Sequence, residues 1–260
     1  MNKHRFVWHD LSTTDAEGSK KFYGEIFNWK FDSSDNGPYA HITAGSEMIG
    51  GIRQMEKMEQ QPTSWLGYVV VDDVAATVAT ITGAGGKVFV PTTKMENVGT
   101  FAVTADPTGA VFAPWKSARA GEDVENAAAM PGPFTFCWDE LVTTDPKAAV
   151  AFYEKVFGWK GRAVDMGGGM TYTLLDRPGV TTPKGDPQAA GGVMQSPPGL
   201  PHSFWIAYVA VDDCDGISAR AERLGAKVMV PPQDIPNIGR FACWSDPQGA
   251  SIAVLQIKMG

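Results

Sequence analysis

The chain has 260 residues, 43% of them hydrophobic and 20% charged, with a formal net charge of -7 and a pI near 5.1. That is enough chain for one large core or two ordinary ones, and the acidic balance, with no clustered basic surface, excludes nucleic acid as a partner. No apolar run approaches the roughly 20 residues that span a bilayer, and the opening MNKHRFVWHDL lacks the apolar stretch of a secretory signal, so the expected location is cytoplasmic, with no membrane contact. Cys137, Cys214 and Cys243 stand at unrelated spacings without a CxxC, which fits small buried residues better than a disulfide framework or a zinc clip.

The first element is a short strand over 7–13. Asp15, a good N-cap residue, opens a helix whose Phe22, Tyr23, Ile26 and Phe27 share one stripe, and Asn28 closes it. Three extended runs follow: NWKFDSS, YAHITA and EMIGGIRQM. The order then restarts with the strand WLGYVVV, the cap residues Asp72 and Asp73, and a helix through Val74, Val78 and Ile81. That helix ends in GAGG (83–86), which reads as a helix terminus because it follows a helix instead of opening one. Strands KVFVP, FAVTA and AVFAPWK complete the half, with Gly109 of DPTGA as a turn residue.

The second half repeats the first. WHDLSTTDAEGSKKFYGEIFNWK from Trp8 matches WDELVTTDPKAAVAFYEKVFGWK from Trp138 at an offset of 130. The later segments, WLGYVVVDDV with WIAYVAVDDC and DPTGA with DPQGA (turn residue Gly249), match at an offset of 140. The extra residues fall in DRPGVTTPKGDPQAAGG (176–192), whose Pro and Gly content predicts an extended surface loop, idle or acting as a lid. The polar, alanine-rich KSARAGEDVENAAAMPGP is the linker, so domains of 1–118 and 134–260 are joined by 119–133. The predicted class is α+β, with antiparallel-rich sheets and helices on their outer faces.

Asp15, Phe22, Tyr23 and Trp29, echoed by Asp145, Phe152, Tyr153, Gly158 and Trp159, together with VDDV or VDDC and DPxGA at Asp106 and Asp246, resemble the vicinal oxygen chelate superfamily. Its members include glyoxalases, extradiol dioxygenases and bleomycin-resistance proteins. WHDL/WDEL with GRFA resembles its tandem-domain bacterial proteins of the glyoxalase-like or hydroxylase type. The resemblance implies tandem domains, each a pair of βαβββ modules forming a cup-shaped sheet, and in metal-dependent members a divalent ion held by His, Glu or Gln.

The family's ligand positions can be counted in this chain. Seven residues before the helix-opening aspartates stand Trp8, Leu66, Trp138 and Ile206; seven after the DPxG aspartates stand Ala113 and Ala253; the remaining position, near Gly51 and Gly192, offers no carboxylate. None of these side chains ligates a divalent cation. His9 lies one residue out of register, on the opposite strand face, and the second copy discards it, so it is a weak metal candidate. No cofactor is expected, and a divalent metal is disfavoured.

Residues two positions along share a strand face, which places Asp10 beside Trp8 and Glu140 beside Trp138. An aromatic platform with a carboxylate suits a small aromatic or cationic ligand, bound among Trp8, Asp10, Leu66, Ala113, Trp138, Glu140, Ile206 and Ala253. Asp10 and Glu140 are also the candidate general bases should the protein be catalytic. The expectation leans to a metal-free small-molecule binder, monomeric or homodimeric. The alternatives are a glyoxalase-like lyase acting on a small carbonyl metabolite and a non-catalytic scaffold.

Overall fold

The computed structural model describes residues 4–33, 37–56, 61–119, 131–166 and 171–258. The first module consists of β1 (Phe6–Thr13), α1 (Ala16–Phe27), β2 (Lys30–Asp32), β3 (Tyr39–Ala44) and β4 (Glu47–Gln54). The second has β5 (Ser64–Val70), α2 (Val74–Gly83), β6 (Lys87–Met95), β7 (Gly99–Ala105) and β8 (Val111–Ser117). The third has β9 (Phe136–Thr143), α3 (Pro146–Phe157), β10 (Lys160–Asp165), β11 (Thr171–Thr181) and β12 (Pro187–Gln195). The fourth has β13 (Phe204–Ala210), α4 (Cys214–Arg223), β14 (Lys227–Ile235), β15 (Gly239–Ser245) and β16 (Ser251–Ile257). Strand order is β2-β3-β4-β1-β5-β8-β7-β6 in one sheet and β10-β11-β12-β9-β13-β16-β15-β14 in the other. Each is mixed, with β1 parallel to β4 and β5 to β8 in the first, and β9 parallel to β12 and β13 to β16 in the second, beside antiparallel ladders such as β3–β4 and β15–β16. This is the α+β architecture the alternating patterns predict. No described helix is long and apolar enough to cross a membrane.

Local chemistry sets the helix ends. Asp15, Asp73, Asp145 and Asp213 each accept a hydrogen bond from the backbone N–H three residues on, at 2.9–3.0 Å. Asn28 and Gly158 close α1 and α3 in the left-handed conformation, at φ of 56° and 71°. At 83–86 the chain leaves α2, with the Gly86 N–H donating to the Ile81 carbonyl. Gly109 and Gly249 adopt φ of 100° and 105° in their turns.

One expectation is corrected. Residues 176–192 are not a loop: they extend β11 and β12 into a longer hairpin, with Asp176 opposite Ala189 and Thr181 opposite Pro187. The ladder's register shifts between Asp176 and Thr181, where Gly179 adopts φ of 73°, and Gly185 at 87° serves the turn that the Thr182 N–H closes onto Asp186. Gly179 thus marks a bulge within the hairpin, and Gly185 its turn, between the end of β11 at Thr181 and the start of β12 at Pro187.

Two compact units emerge, and neither is a consecutive half. Unit 1 takes residues 1–7, 67–129 and 139–205; unit 2 takes 8–66, 130–138 and 206–260. Unit 2 buries Leu11, Phe22, Tyr23, Ile26, Phe27 and Trp29 of the first module with Val209, Trp244, Ile252 and Val254 of the fourth. Unit 1 buries Val69, Ile81 and Phe112 of the second with Leu141, Phe152, Tyr153, Phe157 and Trp159 of the third. Each such large side chain contributes about 1.5–3 kcal/mol on burial.

The motif residues explain this pairing. In unit 2 the buried Tyr23 hydroxyl donates to Asp246 Oδ2 at 2.8 Å and accepts from Trp65 Nε1 at 3.1 Å. Asp246 Oδ1 meanwhile takes the backbone N–H groups of Gln248 and Ala250 at 2.9 and 2.8 Å. Unit 1 repeats the relay, with Trp205 Nε1 donating to Tyr153 at 2.8 Å and Tyr153 to Asp106 at 3.2 Å. The tyrosine of the FY pair and the aspartate of DPxGA are therefore two ends of one buried connection.

Candidate functional site

Strand alternation divides β1. His9, Leu11 and Thr13 are buried, while Trp8, Asp10 and Ser12 stand half-buried on the other face. His9 is 4% exposed, with its imidazole over the Phe136 ring at a centroid distance of 4.0 Å, a packed histidine on the core side of the strand. The register count thus gives the correct face for His9. Asp139 takes the corresponding place on β9, also buried.

On the other face of β1, within unit 2, Asp10 is the hub. Its Oδ1 accepts from Trp8 Nε1 at 2.8 Å and from the Tyr39 hydroxyl at 2.8 Å, and the Trp8 N–H also leans toward the Tyr39 oxygen at 3.3 Å. His41 stands edge-on to both rings, with centroids 6.1 Å from Trp8 and 5.3 Å from Tyr39. Ser12 Oγ accepts from Arg53 at 3.3 Å. Burial, the Asp10 charge and the hydrogen bond to it push the Tyr39 hydroxyl well above the usual phenol range, so it remains a proton donor at any ordinary pH.

The strand pairing explains this placement. Asp10 lies opposite Gly51 on β4, and Gly51 lies opposite His41 on β3. A Cβ at Gly51 would collide with the Tyr39 hydroxyl and crowd Asp10, so glycine is what lets the phenol reach the carboxylate. Unit 1 holds the same arrangement in the third module. Glu140 lies opposite Gly192, the Tyr172 hydroxyl donates to Glu140 Oε2 at 2.8 Å, and a Cβ at Gly192 would collide with that hydroxyl.

The other sequence-derived positions differ in access. Trp138 and Leu66 are half-buried, Ile206 is 3% exposed, and Ala113 and Ala253 expose no surface. Sequence reasoning missed Tyr39, Tyr172 and His41. The signal available was the doubled glycine, Gly50–Gly51 and Gly191–Gly192, facing a strand that carries a tyrosine in both copies.

The residues present do not fit the divalent metal of the metal-dependent members. Indole, leucine, isoleucine and alanine side chains lack the needed lone pairs, and the glycine position is filled by a tyrosine hydroxyl. Among the described residues no group of three or more His, Cys, Asp or Glu is placed to hold an ion.

Residues 7–113 match the family model for the glyoxalase-like domain, and residues 135–254 match that for the glyoxalase/bleomycin resistance protein/dioxygenase superfamily. The chain is 37% identical over 257 residues to "Putative glyoxylase CFP32" of Mycobacterium tuberculosis (strain CDC 1551 / Oshkosh), covering 96% of this chain and 93% of the relative. It is 29% identical to "Anthracycline biosynthesis protein DnrV" of Streptomyces peucetius, covering 98% and 94%. Its fold is similar to the Mn(II)-bound glyoxalase from Novosphingobium aromaticivorans, with a TM-score of 0.64, 16% identity, and 97% and 81% of the two chains covered. A similar likeness holds for a homoprotocatechuate 2,3-dioxygenase variant from B. fuscum, with a TM-score of 0.64, 14% identity, and 98% and 71% covered. With both halves matched and a relative of this identity along nearly its whole length, the chain belongs to the glyoxalase/bleomycin resistance protein/dioxygenase superfamily, the vicinal oxygen chelate fold.

Proposed function

We propose that the protein binds a small aromatic or cationic molecule without a metal ion, at the face of unit 2 carrying Trp8, Asp10, Tyr39 and His41 and at the equivalent face around Glu140 and Tyr172 in unit 1. The observation that carries this reading is the carboxylate held by an indole and a phenol, with a tyrosine hydroxyl lying over glycine where the family's metal-dependent members place a donor. An aromatic surface with one oriented negative charge attracts a planar or cationic ligand through ring contact and charge. The relative assigned to anthracycline biosynthesis supports an aromatic ligand. The location proposed is the cytoplasm, and the assembly a monomer or homodimer.

A second reading, a lyase acting on a small carbonyl compound, draws on the relative named as a glyoxylase. In that case Asp10 or Glu140 would be the base, and the adjoining tyrosine a donor for charge developing on a carbonyl oxygen. A non-catalytic scaffold is the third reading.

Elemental analysis of the purified chain, with a tryptophan-quenching titration against a panel of aromatic and ammonium compounds, separates the three. The first predicts less than stoichiometric zinc, nickel, manganese or iron, and saturable quenching weakened by Trp8→Ala and Trp138→Ala. Stoichiometric metal, or turnover of a small carbonyl compound abolished by Asp10→Asn or Glu140→Gln, moves the conclusion to the lyase. No saturable quenching by any compound moves it to the scaffold.

A further inference from the structure

We propose that the face of unit 1 formed by β5, β7 and β8 is a stacking platform for a planar fused-ring aromatic molecule, with Trp115 as the selecting residue. This inference rests on the small-molecule reading above and assigns it a ligand shape.

The core of unit 1 takes Val69, Val71, Ala102 and Phe112 from this part of the sheet. Alternation turns Tyr68, Phe101 and Trp115 to the opposite face, where Tyr68 pairs with Ala113, Val70 with Trp115 and Phe101 with Trp115. Tyr68 stands 6.2 Å from Trp115 and 6.3 Å from Phe101 by ring centroids, the first contact edge-on at 86° and the second tilted at 51°. Tyr68 is 9% exposed, whereas Phe101 and Trp115 are half-buried. Their residual aromatic surface is on the face away from the unit's apolar core, so core packing does not account for it.

The placement of the indole is built into the backbone. A Cβ at Gly99 would run into the six-membered ring of Trp115, so this glycine leaves the ring room to lie over β7. The side chains of β5, β7 and β8 that flank the three rings on this face, Val70, Val103 and Ala113, carry no charge. Three rings with uncharged flanking side chains favour a flat apolar ligand over a strongly hydrated one.

The repeat supplies its own control. In unit 2 the corresponding positions hold Tyr208, Phe241 and Leu255, with Tyr208 and Phe241 again 6.3 Å apart and Leu255 opposite Phe241. The tyrosine and phenylalanine are kept, and the indole is replaced by a branched aliphatic side chain that offers no flat surface. The two faces therefore differ in selectivity, and that of unit 1 takes the wider ring system.

The test is calorimetric titration of the full chain with the neutral fused-ring probe 2-(hydroxymethyl)anthraquinone. Wild type is expected to take up one probe per chain, Trp115→Leu to lose at least tenfold in affinity, and Leu255→Trp to gain a second equivalent. Should Trp115→Leu fail to fold by circular dichroism, Trp115→Phe carries the comparison, with a loss of severalfold expected. Unchanged affinity in a folded Trp115 variant overturns the platform and leaves the small-molecule reading standing. Absence of saturable uptake by wild type overturns the platform, and if the wider ligand panel is also silent it removes the small-molecule reading as well.

Discussion

The Tyr23 hydroxyl donates to Asp246 Oδ2 at 2.8 Å although 223 positions separate the two residues. The bond joins the first helix of the chain to its last turn motif, and Tyr153 with Asp106 does the same between the two middle modules. Burial and the adjoining aspartate raise both tyrosines well above the ordinary phenol range, which holds them as neutral donors. Tyr23→Phe leaves a buried carboxylate oxygen without its donor and is expected to cost about 1–3 kcal/mol. Urea denaturation should show a lower midpoint with an unchanged slope.

Burial outweighs the hydrogen bonds at Asp106 and Asp246 and raises both carboxyls above the usual value of 3.8. The folded state therefore binds these protons more tightly than the unfolded chain does. Their contribution to stability is fully present below the unfolded pKa and is lost as pH rises through the folded one. The stability of wild type relative to Asp246→Asn should accordingly fall as pH is raised from about 3.5 into the range above the unfolded carboxyl pKa. Denaturation midpoints measured across that window check the sign; a difference that grows with pH would refute it.

Gly51→Ala is expected to force the Tyr39 hydroxyl away from Asp10, because the added methyl falls where the hydroxyl lies. Overpacking of this kind costs about 1–3 kcal/mol. The near-ultraviolet circular dichroism of Trp8 and Tyr39 should change along with the melting temperature. Gly192→Ala should behave alike through Tyr172.

Asn28 and Gly158 occupy the same left-handed cap at φ of 56° and 71°. Gly158→Ala is expected to destabilise by about 1 kcal/mol, since the added Cβ opposes that conformation, and Asn28→Gly to be neutral or stabilising by a few tenths. Thermal melts of the two variants give opposite or unequal shifts.

Burial pushes the Cys214 thiol up to about 11. Iodoacetamide at pH 8 should label this site last among the three cysteines, after the half-buried Cys137, and fully only once the chain is unfolded. Peptide mapping over time measures the order.

What the sequence by itself determined is local or periodic. The internal repeat, the four aspartate caps, the left-handed helix ends and the alternation of β1 follow from residue type and spacing, and alternation alone placed His9 on the core side and Trp8 with Asp10 on the other face. Only the tertiary structure decided which modules share a core, because a helix stripe such as Phe22, Tyr23, Ile26 and Phe27 says that it must be covered and not by what. It also decided that Tyr39 reaches Asp10 and Tyr172 reaches Glu140, since the facing register of β3 and β4, and of β11 and β12, is set by cross-strand packing that spacing along the chain does not encode. The residues of 176–192 are the converse case. Their Gly and Pro content specifies bends, and whether those bends lie within a hairpin or in a loop depends on whether strands stand alongside to pair.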